Sequence, residues 1–101
     1  MSNIKVFFYG GEYEMLIISQ DRLRIINTNT LVSIWVEPSV EHETVVIQSV
    51  VGYDANLFKI NMGEYTRGKA ELVMIEIMKA VDEGKNLYFM PEGDDNNTRN
   101  K

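Results

Sequence analysis

The stretch GEYTRGKAELVMIEIMKAVDEGKNLYFMPE, Gly63 to Glu92, decides the architecture of this chain. Thr66 suits a helix N-cap, because its hydroxyl can accept from a free N–H of the first turn. Gly84 suits the position just past a helix C-terminus, where the backbone turns left-handed. A helix is therefore bracketed from about Arg67 to Glu83. At 3.6 residues per turn, Ala70, Val73, Met74, Ile77, Met78 and Val81 form one wide apolar stripe. Glu71, Glu76, Lys79, Asp82 and Glu83 fall on the rest of the helix. Asn86 to Met90 then reads as a short apolar strand, stopped by Pro91, which has no N–H for a ladder.

Everything before this stretch is strand-like. Ile4 to Tyr9 is β-branched and aromatic, and Gly10-Gly11 is a two-residue hairpin turn that returns the chain along Tyr13 to Ser19. Arg22 to Asn27 is a third strand, and Thr28-Asn29-Thr30 a polar turn. Leu31 to Glu37 alternates most clearly, with Val32, Ile34 and Val36 on one face and Leu31, Ser33 and Trp35 on the other. Pro38 ends it. Thr44 to Val51 is another β-branched run, Gly52 to Asn56 a turn, and Leu57 to Met62 a strand with Phe58, Ile60 and Met62 on one face. Six strands on short connections predict an antiparallel meander.

The chain has 101 residues, 45% of them hydrophobic, which is enough for one domain with a core. It contains no cysteine, so disulfides, thiolate nucleophiles and cysteine-held metals are excluded. Ten cations stand against fifteen anions, for a net charge of −5, which disfavours binding to nucleic acid or to anionic membranes. No apolar run approaches the ~20 residues of a membrane-spanning helix. The first residues lack the apolar run and small-residue cleavage site of a signal peptide, so a cytoplasmic location is expected. Residues 1–90 read as a single domain. Pro91 to Lys101, polar apart from its proline and glycine, reads as a disordered tail.

Chemical motifs are sparse. His42 is the only histidine; it stands between Glu41 and Glu43, whose side chains diverge in an extended segment, so it reads as a solvated loop residue rather than a metal corner. Ser19, Ser33, Ser39 and Ser49 lack the G-x-S-x-G setting of a nucleophile. Gly10-Gly11 precedes a strand instead of a helix, so it is no phosphate cradle. Tyr65 and Lys69 share the Y-x-x-x-K spacing of some oxidoreductases without a dinucleotide fingerprint upstream, and Tyr65 reads as an anchor of the helix start. No catalytic residue, cofactor or metal is assigned, and no enzymatic activity is expected.

Two features depart from this pattern. Leu72 and Ile75 lie ~200° and ~140° around the helix from Ala70, among Glu71, Glu76 and Lys79. They form either a contact patch or a second side buried by a curled sheet. Trp35 faces away from the helix if Val32, Ile34 and Val36 face it, and tryptophan is a common interface anchor; the other reading is that this face closes on itself as a barrel. Leu72, Ile75 and Trp35 are the candidate interaction surface.

Four blocks carry a family resemblance: LIISQDR (Leu16 to Arg22), IINTNTL (Ile25 to Leu31), MGEYTRGKAELVMIEI (Met62 to Ile77) and LYFMPE (Leu87 to Glu92). In this order they resemble a family of small uncharacterised proteins from low-GC Gram-positive bacteria and their phages, over roughly three quarters of the chain. The aromatic and acidic residues usual after IIN are Thr28-Asn29-Thr30 here, and the usually acidic helix start is Arg67-Gly68-Lys69. The family has no assigned activity, so the resemblance implies a fold and a phage or prophage setting but no catalytic residue.

The expected architecture is α+β: one bent antiparallel sheet of about six strands packed on one C-terminal helix, with a short final strand. A pleckstrin-homology-like closed sheet capped by the helix is the nearest alternative. The expected function is a non-catalytic protein-interaction module that binds an unidentified protein or itself. The alternative is a small-molecule or nucleotide-binding protein with a pocket between sheet and helix or between subunits.

Overall fold

The computed structural model describes residues 14–93 and the backbone of 3–4. The Gly10-Gly11 hairpin lies outside the described residues. The fold is α+β, with the element order β1 (Asn3–Ile4), β2 (Leu16–Ile18), β3 (Ile25–Asn27), β4 (Leu31–Pro38), β5 (Val45–Tyr53), β6 (Asn56–Tyr65), α1 (Arg67–Asp82) and β7 (Leu87–Phe89). The helix starts where its cap predicts: the Thr66 hydroxyl accepts from Lys69 N. Gly84, at φ 72°, takes the left-handed conformation that ends it.

The strands do not form one bent sheet. They form two: a four-stranded antiparallel sheet in the order β1-β4-β5-β6, and a three-stranded sheet in the order β3-β2-β7. The division falls at Thr28–Thr30, which is a single turn of 3₁₀ helix and not a hairpin. Asn27 Oδ1 accepts from Asn29 N, the Thr30 hydroxyl donates to Asn27 O, and Leu31 N donates to Thr28 O. Those bonds redirect the chain out of the three-stranded sheet into the four-stranded one. The meander also fails at the other end. β7 returns through α1 and joins β2 in parallel, Leu16 beside Leu87 and Ile18 beside Phe89. A parallel pair needs a long crossover, and the helix supplies it. Ile4, expected to run back against the second strand, instead pairs with Ile34 of β4.

Two bulges explain where strict alternation misreads the large sheet. Leu31 opposes Val51 and Ser33 opposes Val50, so Val32 is the extra residue. It is pushed to the surface, while Leu31, Ile34 and Val36 pack on the core. On β6, Ile47 opposes Gly63 and Gln48 opposes Asn61, so Met62 is extra. Its side chain is fully buried, and its carbonyl turns outward to accept from Gln20 N at 2.9 Å.

One core unites both sheets and the helix: Met15, Ile17, Ile26, Ile34, Ile47, Met62, Tyr65, Val73, Ile77 and Met90 among others. The buried side of α1 is Ala70, Val73, Met74, Ile77 and Ala80. Met78, expected in this stripe, is exposed and Ala80 takes its place. The contact face is rotated toward β7, whose Tyr88 hydroxyl donates to Glu76 on that side of the helix. Pro91, assigned to the tail by the sequence, accepts from the buried Tyr65 hydroxyl at 2.6 Å.

Candidate functional site

Three of the four sequence blocks meet at one polar junction between the sheets. The loop after β2 begins at buried Ser19, whose hydroxyl donates to Asp21 Oδ1 at 2.6 Å and accepts from Arg24 N at 3.1 Å. Leu23 N donates to the same Asp21 oxygen. These bonds, the Ser19 hydroxyl first, hold the Asp21 carboxyl below its usual range. Gln20 acts as a piece of strand against β6: its side-chain amide donates to Glu64 O and accepts from Glu64 N, both at 3.0 Å. Arg22 sits at φ 66° and donates through its guanidinium to Met90 O at 2.7 Å and to Ser19 O at 3.2 Å. The Tyr65 ring lies over Gly63, where a Cβ would stand 2.8 Å from the ring and 3.0 Å from Gln20 Cβ. The S-Q-D-R, M-G-E-Y and M-P-E runs are thus one construction, in which side chains satisfy the backbone of chain ends that leave their ladders. Burial pushes the Tyr65 hydroxyl well above the usual tyrosine range.

A second polar group surrounds Glu64 on the outer side of β6. Its carboxylate accepts from the Thr44 hydroxyl, and His42 Nδ1 lies 2.9 Å from the same oxygen. The Thr44 bond is the main reason its carboxyl sits below the ordinary range. His42 remains an exposed loop residue, held by this contact and by its own N–H donating to Ser39 Oγ. The surface clefts are of modest size. One of 320 Å³ runs between α1 and β7 along Glu76, Lys79, Glu83, Lys85 and Phe89. One of 300 Å³ is lined by Gln20, Asp21, Arg24 and Glu64, and one of 260 Å³ lies beside His42. Arg24 therefore does line a cleft, but 3.3 Å from Asp21. A deep pocket lined by Tyr53, Arg24 or Arg67 would favour the small-molecule reading, and Tyr53 and Arg67 line none of these three. Among the described residues no three His, Asp or Glu side chains are grouped as metal ligands, and no helix is long and apolar enough to cross a membrane.

Leu72 and Ile75 are exposed, at 57% and 50%, and are not buried by a curled sheet. Met78, 43% exposed, extends them into an apolar line edged by Glu71, Lys79 and Asp82. Trp35 is not part of this surface. It lies on the outer face of the four-stranded sheet, since its neighbour Ile34 is buried in the core on the helix side. It is only half-buried, and its indole N–H donates to Glu37 Oε1 at 2.8 Å. Lys59 Nζ lies 5.8 Å from its ring centroid, and Gln48 donates to Glu37 as well. Trp35 therefore belongs to a polar cross-strand network, with the Trp35 bond the main reason the Glu37 carboxyl sits below its usual range.

Sequence reasoning missed a further apolar face. In the three-stranded sheet Ile17 pairs with Ile26 and Tyr88, and these three point into the core. The rows on either side point outward: Asn27, Leu16 and Leu87 in one, Ile25, Ile18 and Phe89 in the other. Five of these six positions are apolar. Ile25 is 67% exposed, Phe89 52% and Leu87 47%. The signal was available in the apolar runs Leu16 to Ile18 and Leu87 to Phe89, because a strand apolar on both faces needs two covers. No protein-family model, curated protein or solved structure matches the chain.

Proposed function

We propose that this protein is a non-catalytic interaction module that works in the cytoplasm through its exposed apolar faces. The observation that carries the reading is the outer face of the three-stranded sheet, apolar at five of six positions. The exposed line Leu72, Ile75 and Met78 on α1 is a second, smaller surface. Exposed apolar patches of this kind mark contact sites. The polar side chains support the same reading, since Ser19, Gln20, Asp21, Arg22 and Tyr65 all bond the chain itself. A phage or prophage accessory role rests on the resemblance of the four sequence blocks.

The test is affinity capture from host and phage-infected lysates with three baits: wild type, Ile25→Glu, and Leu72→Glu with Ile75→Lys. All three positions are exposed, so each variant is expected to keep its melting temperature. A partner lost with one variant and kept with the other supports the reading and assigns the face. Identical capture by all three baits, with no self-association of any, counts against it.

The second reading is a small-molecule or nucleotide site in the cleft between α1 and β7. It is favoured by the cleft's 320 Å³ and by Lys79 and Lys85 along it. A nucleotide panel that raises the melting temperature of wild type but not of Lys79→Ala would establish it.

A further inference from the structure

We infer that the outer face of the three-stranded sheet is the interface of a two-fold symmetric homodimer. The inference rests on the interaction reading above and names the partner as a second copy of this chain.

Area is the first argument. Leu16, Ile18, Ile25, Leu87 and Phe89 share one face, and Leu16, Ile25, Leu87 and Phe89 are 36–67% exposed. Together the five offer roughly 400 Å² of apolar surface, about the apolar share of the smallest specific interfaces, ~600 Å² per partner. The other exposed groups are less suited. Leu72, Ile75 and Met78 are edged by charges. Val32, Tyr53, Leu57 and Phe58, at the β5–β6 end, divide between two faces of their hairpin, because Leu57 opposes Gly52 while Phe58 opposes Val51.

Charge placement is the second argument, and it selects the symmetry. Glu14 follows the outward parity of Leu16 and Ile18, and its carboxylate accepts from Asn29 at 3.1 Å at one end of the face. Arg22 lies at the other end, its guanidinium 5.3 Å from the centroid of the Phe89 ring. The two ends are ~13 Å apart along the strand at 3.3 Å per residue. A closed dimer presents the same patch twice, so the patch must complement itself. A two-fold axis in the interface plane and perpendicular to the strands brings each Glu14 to the partner's Arg22 end. The apolar rows then cover each other. An axis along the strands would bring like charges together.

The experiment is sedimentation velocity over a concentration series, on wild type, Ile25→Glu, Glu14→Lys, and Leu72→Glu with Ile75→Lys. Ile25 is exposed, so its variant is expected to fold, and far-UV circular dichroism checks this. Wild type is expected to dimerise and Ile25→Glu to be monomeric. Glu14→Lys should weaken association by about tenfold, because two rim charges change sign. The helix variant should dimerise like wild type. A wild-type protein that stays monomeric overturns the proposal, as does a dimer lost only in the helix variant. If the protein stays monomeric yet captures a foreign partner that Ile25→Glu loses, the interaction reading survives and the dimer falls.

Discussion

The two faces of the three-stranded sheet are made of the same kinds of residue and have opposite fates. Ile17 is fully buried and Ile26 nearly so, while Ile25, one position from Ile26 on the same strand, is 67% exposed. Tyr88 packs on the core between Leu87 and Phe89, both about half exposed. Side-chain chemistry therefore does not decide which face is covered. What decides it is the layer beyond: α1 and the large sheet lie on one side, and no described residue covers the other.

The strongest break of this comparison is a pair of truncations. Ile17→Ala should cost about 2–5 kcal/mol, because it removes buried methylenes and leaves a cavity. Ile25→Ala, measured at low concentration, should stay within about 0.5 kcal/mol. Urea melts of both decide it; similar losses would mean that the outer face is covered in the monomer.

Next in size is Gly63→Ala, which probes the junction that holds the inner face in place. A Cβ there would stand 2.8 Å from the Tyr65 ring, and overpacking of this kind costs about 1–3 kcal/mol. A denaturant midpoint equal to wild type would show that Tyr65 can move aside and that the junction is loose.

A smaller effect, of opposite sign, is expected at the β5–β6 turn, away from both faces of the small sheet. Asp54 and Ala55 have φ of 54° and 69°, the conformation of a two-residue hairpin turn. Alanine is strained there and glycine is not, so Ala55→Gly should stabilise by about 0.5–1 kcal/mol. A lower melting temperature in this variant would place the turn in another conformation.

The smallest effect is the acid limb of stability. The Asp21, Glu37 and Glu64 carboxyls lie below their unfolded values, each through hydrogen bonds to the ionised form. Their contribution is therefore complete above an unfolded pKa of about 4 and is lost as pH falls through the lower folded values. Glu64→Gln should flatten that limb slightly. An unchanged pH profile would show that the Thr44 and His42 contacts add nothing in solution.

Much of the secondary structure was legible because it is written locally. Thr66 and Gly84 bracket the helix, and the apolar spacing of Ala70, Val73, Met74 and Ile77 marks its buried side. The same spacing sets Leu72 and Ile75 off the buried stripe, but it leaves open whether a curled sheet covers them, and only the structure shows them exposed. Trp35 faces away from the helix, as alternation along its strand implies, but its network with Glu37, Gln48 and Lys59 draws on three strands, and only their pairing reveals it. The outer sheet face was not read at all. The six strands looked like one meander, and in a meander Leu16 to Ile18 and Leu87 to Phe89 would lie far apart.

The sequence by itself determined most of the described strands, the helix with both its ends, and the blocks that carry the junction. Each depends on the periodicity, caps and turn chemistry of a few consecutive residues. Only the tertiary structure decided that the strands divide into two sheets and that β2 and β7 pair in parallel across most of the chain. It also decided that Gln20, Arg22 and Tyr65 bind β6, Met90 and Pro91. The physical reason is that strand partners are chosen by long-range closure, where the two members of a pair carry no local mark of each other. The same apolar strand is a core element or a surface according to what the chain later lays upon it.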